Sequence, residues 1–350
     1  MIKNIEFADP VLIVSTGRCG STMLSNMVNL HPDLLSISEF FTSLTSRAFL
    51  GRKLTGKAVF HRLNTLSPGA KALHRNNLWV DEFLYPLGPD ARFLPDEVPP
   101  ILCSTLPHIT EHHERTWDEL AIVLRARGKA QLAAHYRFVF EWLTHRFGKR
   151  VWIERSGASL LFVPLLASMF PDARFVHIYR DGRDTAMSMA RHHFFRLRVQ
   201  AEELMLKAGI NPCAPFHLLG TSPYAPWFEW LRFQFFSAAK YQHTEIELPA
   251  FGRFWSRLIE YGTRYLNALP PERVLSLRYE TVLSAPDHEL GRFIRFVGPE
   301  FENSQWQHAA SALVQTTPPR WPRLDAETQI QLGIACEPGL TRLGYHGDHN

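Results

Sequence analysis

Residues 11–30 read VLIVSTGRCGSTMLSNMVNL. The apolar run Val11–Val14 predicts a buried strand, and the last ten residues have the apolar spacing of a helix. Gly17 and Gly20 lie between them, where tight backbone turns are needed. A glycine loop between a strand and a helix directs several N–H groups and the positive end of the helix dipole at one anion. The stretch therefore predicts an α/β fold that binds a phosphate compound.

The side chains of this loop also favour an anion. Arg18 supplies a planar guanidinium, and Ser21 and Thr22 add hydroxyl donors. An NTP-binding P-loop needs a lysine after the second glycine, where this chain has Ser21. A Cys-x5-Arg phosphatase loop starting at Cys19 is excluded, because position 25 is Ser25. A purely structural loop stays open, since many α/β folds contain a strand, a glycine turn and a helix.

A second segment, residues 174–189, again reads as a strand, a charged turn and a helix. Arg180 follows the strand directly, and Ser188 lies eight residues further on. Parallel strands open their carboxyl ends onto one crevice, so this segment and the glycine loop are expected to hold two separated phosphates of one ligand. The alternative is a solvated network of weak ion pairs that caps a helix. Its members would be Arg180, Asp181, Arg183 and Asp184.

These motifs resemble those of the sulfotransferases that use 3′-phosphoadenosine 5′-phosphosulfate (PAPS), above all the tyrosylprotein-type and bacterial branch. Arg18-Cys-Gly-Ser-Thr22 is similar to the family's 5′-phosphosulfate loop. Arg180 and Ser188 match in type and spacing the pair that the family places on the 3′-phosphate. His31-Pro-Asp33 and Glu39 resemble a stretch that ends in the proposed catalytic base, with a spacing one residue longer here.

Further matches extend the resemblance along the chain. Arg155 stands at a third strand end, where the family usually has Lys-Thr-Pro. Tyr279 matches the tyrosine of a Tyr-Glu element that lies by the nucleotide. Arg320-Trp321 and Leu343-Gly-Tyr345 resemble two C-terminal elements.

The resemblance implies a P-loop-like parallel β-sheet with helices on both faces, in a single domain over residues 1–350. Residues 45–148 and 192–270, which match little of the family, are expected to be mainly helical insertions that shape the acceptor site. The implied catalytic residues are Glu39 as base, with Arg18 and Arg155; His192 and His193 are the next candidates for the base. The implied PAPS-binding residues are Gly17, Arg18, Cys19, Gly20, Ser21, Thr22, Arg180, Ser188, Tyr279 and Arg320.

Composition indicates a soluble cytoplasmic enzyme. The chain has 350 residues, of which 45% are hydrophobic, enough for a large core. A net charge of +4 without a dense basic stripe gives little support for nucleic-acid binding. The longest nearly apolar run, residues 158–170, is too short to span a membrane, and the N-terminus lacks a signal-peptide core. Four scattered cysteines favour reduced thiols.

Strand and helix patterns alternate along the chain, which is typical of a parallel sheet. Strands are predicted near residues 11–15, 34–38, 151–154, 174–179 and 273–278. Helices are predicted near residues 21–30, 117–147 with a break at Gly128, 157–170, 182–209 and 252–268. Thr116–Glu119 reads as a capping box that starts a helix, and the proline-rich residues 86–107 read as a surface loop.

Three local features have two interpretations each. At Cys19, the helix N-terminus and Arg18 are expected to lower the thiol pKa and make it sensitive to oxidation, but the favoured role is that of a small loop filler. Trp227–Phe236 is apolar nearly all round a helix, which predicts burial, with lining of an acceptor groove as the alternative. A histidine and glutamate cluster has metal-like spacing but is expected to be ordinary exposed loop residues. Its members are His108, Glu111, His112, His113 and Glu114.

The function predicted from the resemblance is transfer of a sulfuryl group from PAPS, without a metal, to an acceptor hydroxyl or amine. The Phe, Trp and Leu content of the unmatched segments favours a sizeable, partly apolar acceptor, such as a small molecule, a lipid or a carrier-bound group. A nucleotide-dependent phosphotransferase that requires magnesium is the second interpretation. A catalytically inactive nucleotide-binding protein of the same fold is the third.

Overall fold

The computed structural model describes residues 8–209, 211, 225–234, 236–316 and 318–345. Its strands are β1 Val11–Val14, β2 Leu34–Ser38, β3 Lys53–Leu54, β4 Ala130–Gln131, β5 Val151–Arg155, β6 Arg174–Tyr179 and β7 Val274–Arg278. Its α-helices are α1 Ser21–Asn29, α2 Phe40–Leu44, α3 Gly56–Asn64, α4 Pro68–Arg75, α5 Pro100–Cys103, α6 Thr105–Ile109, α7 His113–Arg125, α8 Leu132–Arg146, α9 Val163–Met169, α10 Gly182–Ala190, α11 His193–Lys207, α12 Ala225–Gln234, α13 Ala238–His243, α14 Leu248–Leu266, α15 Tyr279–Ser284, α16 Pro286–Val297, α17 Ser304–Ser311 and α18 Ala326–Arg342.

Helices flank a central five-stranded sheet with the order β2-β5-β1-β6-β7. β6 pairs in parallel with β1 and with β7, in a register that sets Val14 opposite His177 and Tyr179 opposite Arg278. All four residues of β1 are buried, as expected of a strand with covered faces. The predicted α/β fold class is confirmed, and the five predicted strands agree with the observed ones.

The chain divides into two compact units that alternate along the sequence. The loop unit comprises Ala8–Asp33, Arg155–Cys213 and Ile246–Asn350, and the helical unit comprises Met1–Phe7, Leu34–Glu154 and Ala214–Glu245. The single domain expected over residues 1–350 stays a prediction.

The core of the loop unit is built around α14, whose inward face is apolar. Its Trp255 is fully buried, and a Cβ atom on Gly182 of α10 or on Gly339 of α18 would overlap the indole ring. Glycine at these two positions therefore lets both helices approach α14 closely.

Aromatic packing holds the helical unit together. The rings of Phe40 and Phe140 lie 4.7 Å apart, edge to face, and Trp152 lies 4.8 Å from Phe140. The Tyr136 hydroxyl donates to the Ala48 carbonyl at 2.6 Å, and Arg62 Nη2 donates to the Leu50 carbonyl at 2.7 Å. These bonds tie the turn after α2 to α3 and α8.

Several predicted boundaries are wrong for local reasons. α7 begins at His113, and the Thr116 hydroxyl donates back to the His112 carbonyl at 3.0 Å instead of capping the helix. The segment 182–209 forms two helices that break at residues 191–192. Residues 86–107 are a surface loop only in their first part, because Pro100–Cys103 is a buried helix.

Candidate functional site

The glycine loop adopts the tight conformation that its sequence predicts. Gly17 and Gly20 have φ of +77° and +87°. A Cβ atom on Gly17 would lie 2.5 Å from Cζ of Phe195, and one on Gly20 would overlap the Tyr279 ring. Both positions therefore require glycine for conformation and for space. Gly20 is the N-cap residue of α1. Because glycine has no side chain, the cap residue does not accept a hydrogen bond from the first-turn amides.

Three non-glycine residues in left-handed conformation follow three different strands. Arg18 (φ 58°) follows β1, Glu39 (φ 56°) follows β2, and Ala158 (φ 56°) follows β5. Such a conformation costs on the order of 1–3 kcal/mol per residue and is concentrated at functional sites. Backbone strain thus marks the turns at the ends of these strands.

Arg18 connects the glycine loop to α10. Its Nε donates to the Ser188 hydroxyl oxygen at 3.1 Å. Arg18 and Ser188 are half-buried, so a ligand can reach them. The sequence motifs assign these two residues to opposite ends of one nucleotide, and the structure brings them into contact.

A second set of contacts converges on Arg180, directly after β6. Its Nη2 donates to Asp184 Oδ2 at 2.9 Å, and its guanidinium carbon lies 4.9 Å from the centroid of the Tyr279 ring. Since Tyr279 also packs against Gly20, Arg180 is joined to the glycine loop through this ring. Arg18, Gly20, Arg180, Ser188 and Tyr279 therefore form one cluster in the loop unit.

The start of α10 is a buried ion-pair network. Asp181 caps the helix by accepting from the Arg183 backbone N–H at 2.8 Å, and it also pairs with the Arg183 guanidinium at 2.6 Å. Asp181, Arg183 and Asp184 are buried. The predicted capping is present, but the solvated network proposed as the alternative is wrong, because three of its four members are largely shielded from water.

Two aromatic residues from the C-terminal part of the chain complete this network. The guanidinium carbon of Arg183 lies 3.7 Å from the centroid of Trp321. The Tyr345 hydroxyl donates to Glu280 Oε2 at 2.7 Å, and Glu280 Oε1 accepts from the Asp181 backbone N–H at 2.9 Å. The residues that resemble the family's C-terminal elements thus contact the start of α10 directly or through Glu280.

The remaining predicted residues have different surroundings. Arg155 ends β5 with 2% of its surface exposed, Ser21 is buried, and Thr22 and Arg320 are exposed. Glu39 belongs to the helical unit, where it is 5% exposed and occupies the cap position of α2 without a side-chain capping bond.

The prediction of a lowered pKa for Cys19 is wrong. Burial raises the pKa of the Cys19 thiol, against the opposing effects of a hydrogen bond from Ser15 and the charges of Arg180 and Arg155. Its Sγ contacts the Ile178 carbonyl oxygen at 3.4 Å. Cys19 therefore fits the favoured role of a small loop filler.

The prediction of exposed loop residues is confirmed for Glu111 and His112 but is wrong for the other members of the histidine and glutamate cluster. His108 lies in α6 and its Nε2 is 2.9 Å from the Ser36 hydroxyl, while His113 and Glu114 begin α7. Within the described ranges, no group of three or more His, Cys, Asp or Glu side chains is arranged to hold a metal ion.

Residues 227–234 of the aromatic segment lie in α12, and Phe235 lies outside the described residues. Three of the large apolar side chains on α12 are exposed, which contradicts the predicted burial. Trp227 is 53% exposed, Trp230 48% and Leu231 42%. Across the ranges that the structure covers, no helix is long and apolar enough to cross a membrane.

Residues 103–213 match the model of a protein family described as "Sulfotransferase family". This segment is similar to the sulfotransferases. The matched segment contains β5, β6 and α10, and therefore Arg155, Arg180 and Ser188. No curated protein matches the chain by sequence.

Solved sulfotransferase structures align with most of the chain, although at low identity. The sulfotransferase domain from the curacin biosynthetic pathway is 14% identical, over 97% of this chain and 99% of that one, with a TM-score of 0.46. The sulfotransferase domain from the Synechococcus PCC 7002 olefin synthase is 15% identical, over 100% and 99%, with a TM-score of 0.42. Sulfotransferase STF9 from Mycobacterium avium is 14% identical, over 99% and 78%, with a TM-score of 0.43.

Asp184 is the functional candidate that sequence reasoning missed. The sequence pattern indicates it only as a member of a solvated helix cap, whereas its carboxylate contacts both Arg180 and the backbone of Arg320. The spacing of Arg180 and Asp184, four residues apart at a helix start, was the available signal.

Proposed function

We propose that this protein transfers a sulfuryl group from PAPS to an acceptor hydroxyl or amine. The observation that carries the proposal is the hydrogen bond from Arg18 Nε to Ser188 Oγ, because it joins the glycine loop to the helix after β6. Two anion-binding elements in contact suit a nucleotide with phosphate groups at two positions. PAPS has a 5′-phosphosulfate and a 3′-phosphate, and the sulfotransferase-family match supports the same class of reaction.

The glycine loop binds the 5′-phosphosulfate in this proposal. The first-turn amides of α1, the Ser21 and Thr22 hydroxyls and the Arg18 guanidinium donate to its oxygens. Gly17 and Gly20 let the loop turn tightly enough for these donors to converge, and Cys19 fills the space beneath. Donors held in place before the reaction stabilise the charge that builds on the departing phosphate.

The 3′-phosphate binds to Arg180, Ser188 and Arg320, and Tyr279 lies by the nucleotide. Arg180 is suited to this role because Asp184 and Tyr279 hold its guanidinium on two sides. A planar guanidinium with fixed orientation donates two parallel hydrogen bonds to a phosphate group.

In the chemical step, the acceptor oxygen or nitrogen attacks the sulfur atom. The bond between sulfur and the 5′-phosphate oxygen breaks, PAP (3′-phosphoadenosine 5′-phosphate) leaves, and Arg155 stabilises the sulfuryl oxygens. Glu39 accepts the acceptor's proton. Its strained backbone conformation directly after β2 supports this role over that of a helix cap. The protein supplies the cations, so the scheme uses no metal.

The acceptor that we propose is sizeable and partly apolar: a small molecule, a lipid or a carrier-bound group. The exposed indoles of Trp227 and Trp230 on α12 support this proposal, since exposed apolar surface often marks an interaction site. A cytoplasmic location stays a prediction.

A thermal-shift panel tests the donor. PAP, 5′-AMP, ATP and GTP are each added with and without magnesium, because a ligand that binds the folded state raises Tm. PAP is expected to give the largest shift, independent of magnesium. Equal shifts for PAP and 5′-AMP contradict the proposal, and a larger shift for ATP with magnesium favours a phosphotransferase.

An activity panel then tests the reaction and the acceptor. PAP release from PAPS is measured with aromatic alcohols, hydroxylated lipids and small sugars. Turnover with an apolar acceptor is expected. Sulfation restricted to hydrophilic sugars contradicts the acceptor class, and PAP binding without turnover on any acceptor points to an inactive nucleotide-binding protein.

A further inference from the structure

Asp184 makes three hydrogen bonds from a buried position. It is 6% exposed, and its Oδ2 accepts from Nη2 of Arg180 at 2.9 Å. Its Oδ1 accepts from the backbone N–H groups of Arg320 at 2.8 Å and Trp321 at 3.1 Å. One carboxylate therefore joins the arginine after β6 to a segment 136 residues further along the chain.

Asp184 and Tyr279 together fix the direction of the Arg180 guanidinium. Asp184 engages Nη2, while the Tyr279 ring lies 4.9 Å from the guanidinium carbon. The other guanidinium nitrogens can then donate to a ligand from a fixed position. If the carboxylate is removed, the side chain loses one of these two restraints and keeps the ring contact.

Asp184 also positions Arg320, although it does so through the backbone. Trp321 is held independently by the Arg183 guanidinium, 3.7 Å from its ring centroid. The backbone N–H groups of Arg320 and Trp321 both bond to Asp184. Loss of the carboxylate is therefore expected to leave the Trp321 ring on Arg183 and to release the backbone turn that carries the Arg320 side chain.

We infer that Asp184 is a positioning residue that sets the preference for a nucleotide with a 3′-phosphate by holding Arg180 and Arg320 together. The inference rests on the proposed function. Two effects of the carboxylate oppose each other. As a fixed negative charge it repels a phosphate, whereas as an anchor it keeps two arginines aimed at that phosphate. Because the buried carboxylate is compensated by its three donors, the anchoring effect is expected to dominate.

Substitution by asparagine separates these effects. Asp184→Asn keeps the size and one acceptor oxygen but removes the charge. The dissociation constants of PAP and 5′-AMP are measured by calorimetry at one salt concentration. We expect the ratio of Kd for 5′-AMP to Kd for PAP to fall at least tenfold, with 5′-AMP affinity unchanged within twofold. An unchanged ratio, or tighter PAP binding, overturns the inference.

Glu289→Gln is the matched control. Glu289 is another buried carboxylate of the loop unit, and it accepts from Arg292 Nη1 at 2.7 Å. Its loss is expected to lower Tm but to leave the affinity ratio unchanged. If Glu289→Gln lowers the ratio as much as Asp184→Asn, a general loss of stability explains both results and the inference fails.

A double-mutant cycle tests whether Asp184 acts through Arg180. In the Arg180→Ala background, Asp184→Asn is expected to change the ratio at least threefold less than in the parent protein. An equal change in both backgrounds overturns the inference. If Asp184→Asn does not fold, Asp184→Glu is measured instead. Its longer side chain is expected to displace Arg180 and so to lower the ratio of the two Kd values. A ratio equal to that of the parent protein contradicts the inference.

The parent protein separates this inference from the proposed function. A parent without preference for PAP over 5′-AMP overturns both. A parent with that preference and an insensitive Asp184→Asn variant overturns only the role of Asp184.

Discussion

Gly20→Ala tests the contact that joins the glycine loop to Tyr279. Gly20 has φ of +87°, a conformation that costs an L-residue roughly 1–2 kcal/mol. The new Cβ atom would also lie closer than 3.0 Å to the Tyr279 ring, and such overpacking costs about 1–3 kcal/mol. We therefore expect the free energy of unfolding to fall by about 2–5 kcal/mol in all.

Two further variants divide this loss into its parts. Gly344 has φ of +75°, and a methyl group there would meet no other atom within 4 Å, so Gly344→Ala reports backbone strain alone. Tyr279→Ala removes the ring, so Gly20→Ala in that background is also expected to cost only the strain, roughly 1–2 kcal/mol.

Urea unfolding, followed by tryptophan fluorescence, measures the free energies of these variants. Equal losses for Gly20→Ala and Gly344→Ala, with no change when Tyr279 is removed, refute the packing of Tyr279 on the loop. PAP affinity of the same variants is a second readout, because displacement of the ring also releases one side of Arg180.

Three other predictions follow from single side chains. Glu39→Gln is expected to lower kcat by roughly 100-fold to 10,000-fold, as measured by PAP release, and to leave the PAP affinity measured by calorimetry unchanged. If the variant turns over at the same rate as the parent protein, another residue is the base. Burial lowers the pKa of His177 from 6.5 to about 4, so the folded state holds it neutral, and the free energy of unfolding falls by up to about 3 kcal/mol as the pH drops from 6.5 towards 4. Between pH 7 and pH 4.5, the free energy of unfolding measured in urea is expected to fall less for His177→Val than for the parent protein. An equal fall in both proteins contradicts the lowered pKa of His177. Burial also raises the thiol pKa of Cys19, Cys103 and Cys336, so iodoacetamide at pH 7.5 is expected to modify them only after denaturation, as read by peptide mapping; rapid modification of native Cys19 contradicts its burial.

The strands and the glycine loop were predictable because their signals are local. Val11–Val14 is a continuous apolar run, and Gly17 and Gly20 stand where the backbone must turn with positive φ. The spacing of Arg180 and Ser188 places Ser188 on the helix that begins just after Arg180. Patterns of this kind depend on neighbours within a few residues, so a sequence shows them directly.

Burial was the main quantity that local patterns predicted wrongly. Trp227 and Trp230 are exposed on a helix that reads as apolar all round, whereas Asp184 and Arg183 are buried although they read as solvated. The pKa of Cys19 was also predicted wrongly because of burial. Enclosure under the loop raises the thiol pKa by more than the nearby positive charges lower it.

The sequence by itself determined the α/β class, the strand positions, the loop conformation and the residue types available to bind anions. Only the tertiary structure decided that Arg18 meets Ser188, that Tyr279 packs on Gly20, and that Asp184 joins Arg180 to Arg320. In each case the structure brings together residues that are more than a hundred positions apart in the sequence. Such contacts depend on which elements pack together, and packing is a property of the whole folded chain rather than of any segment.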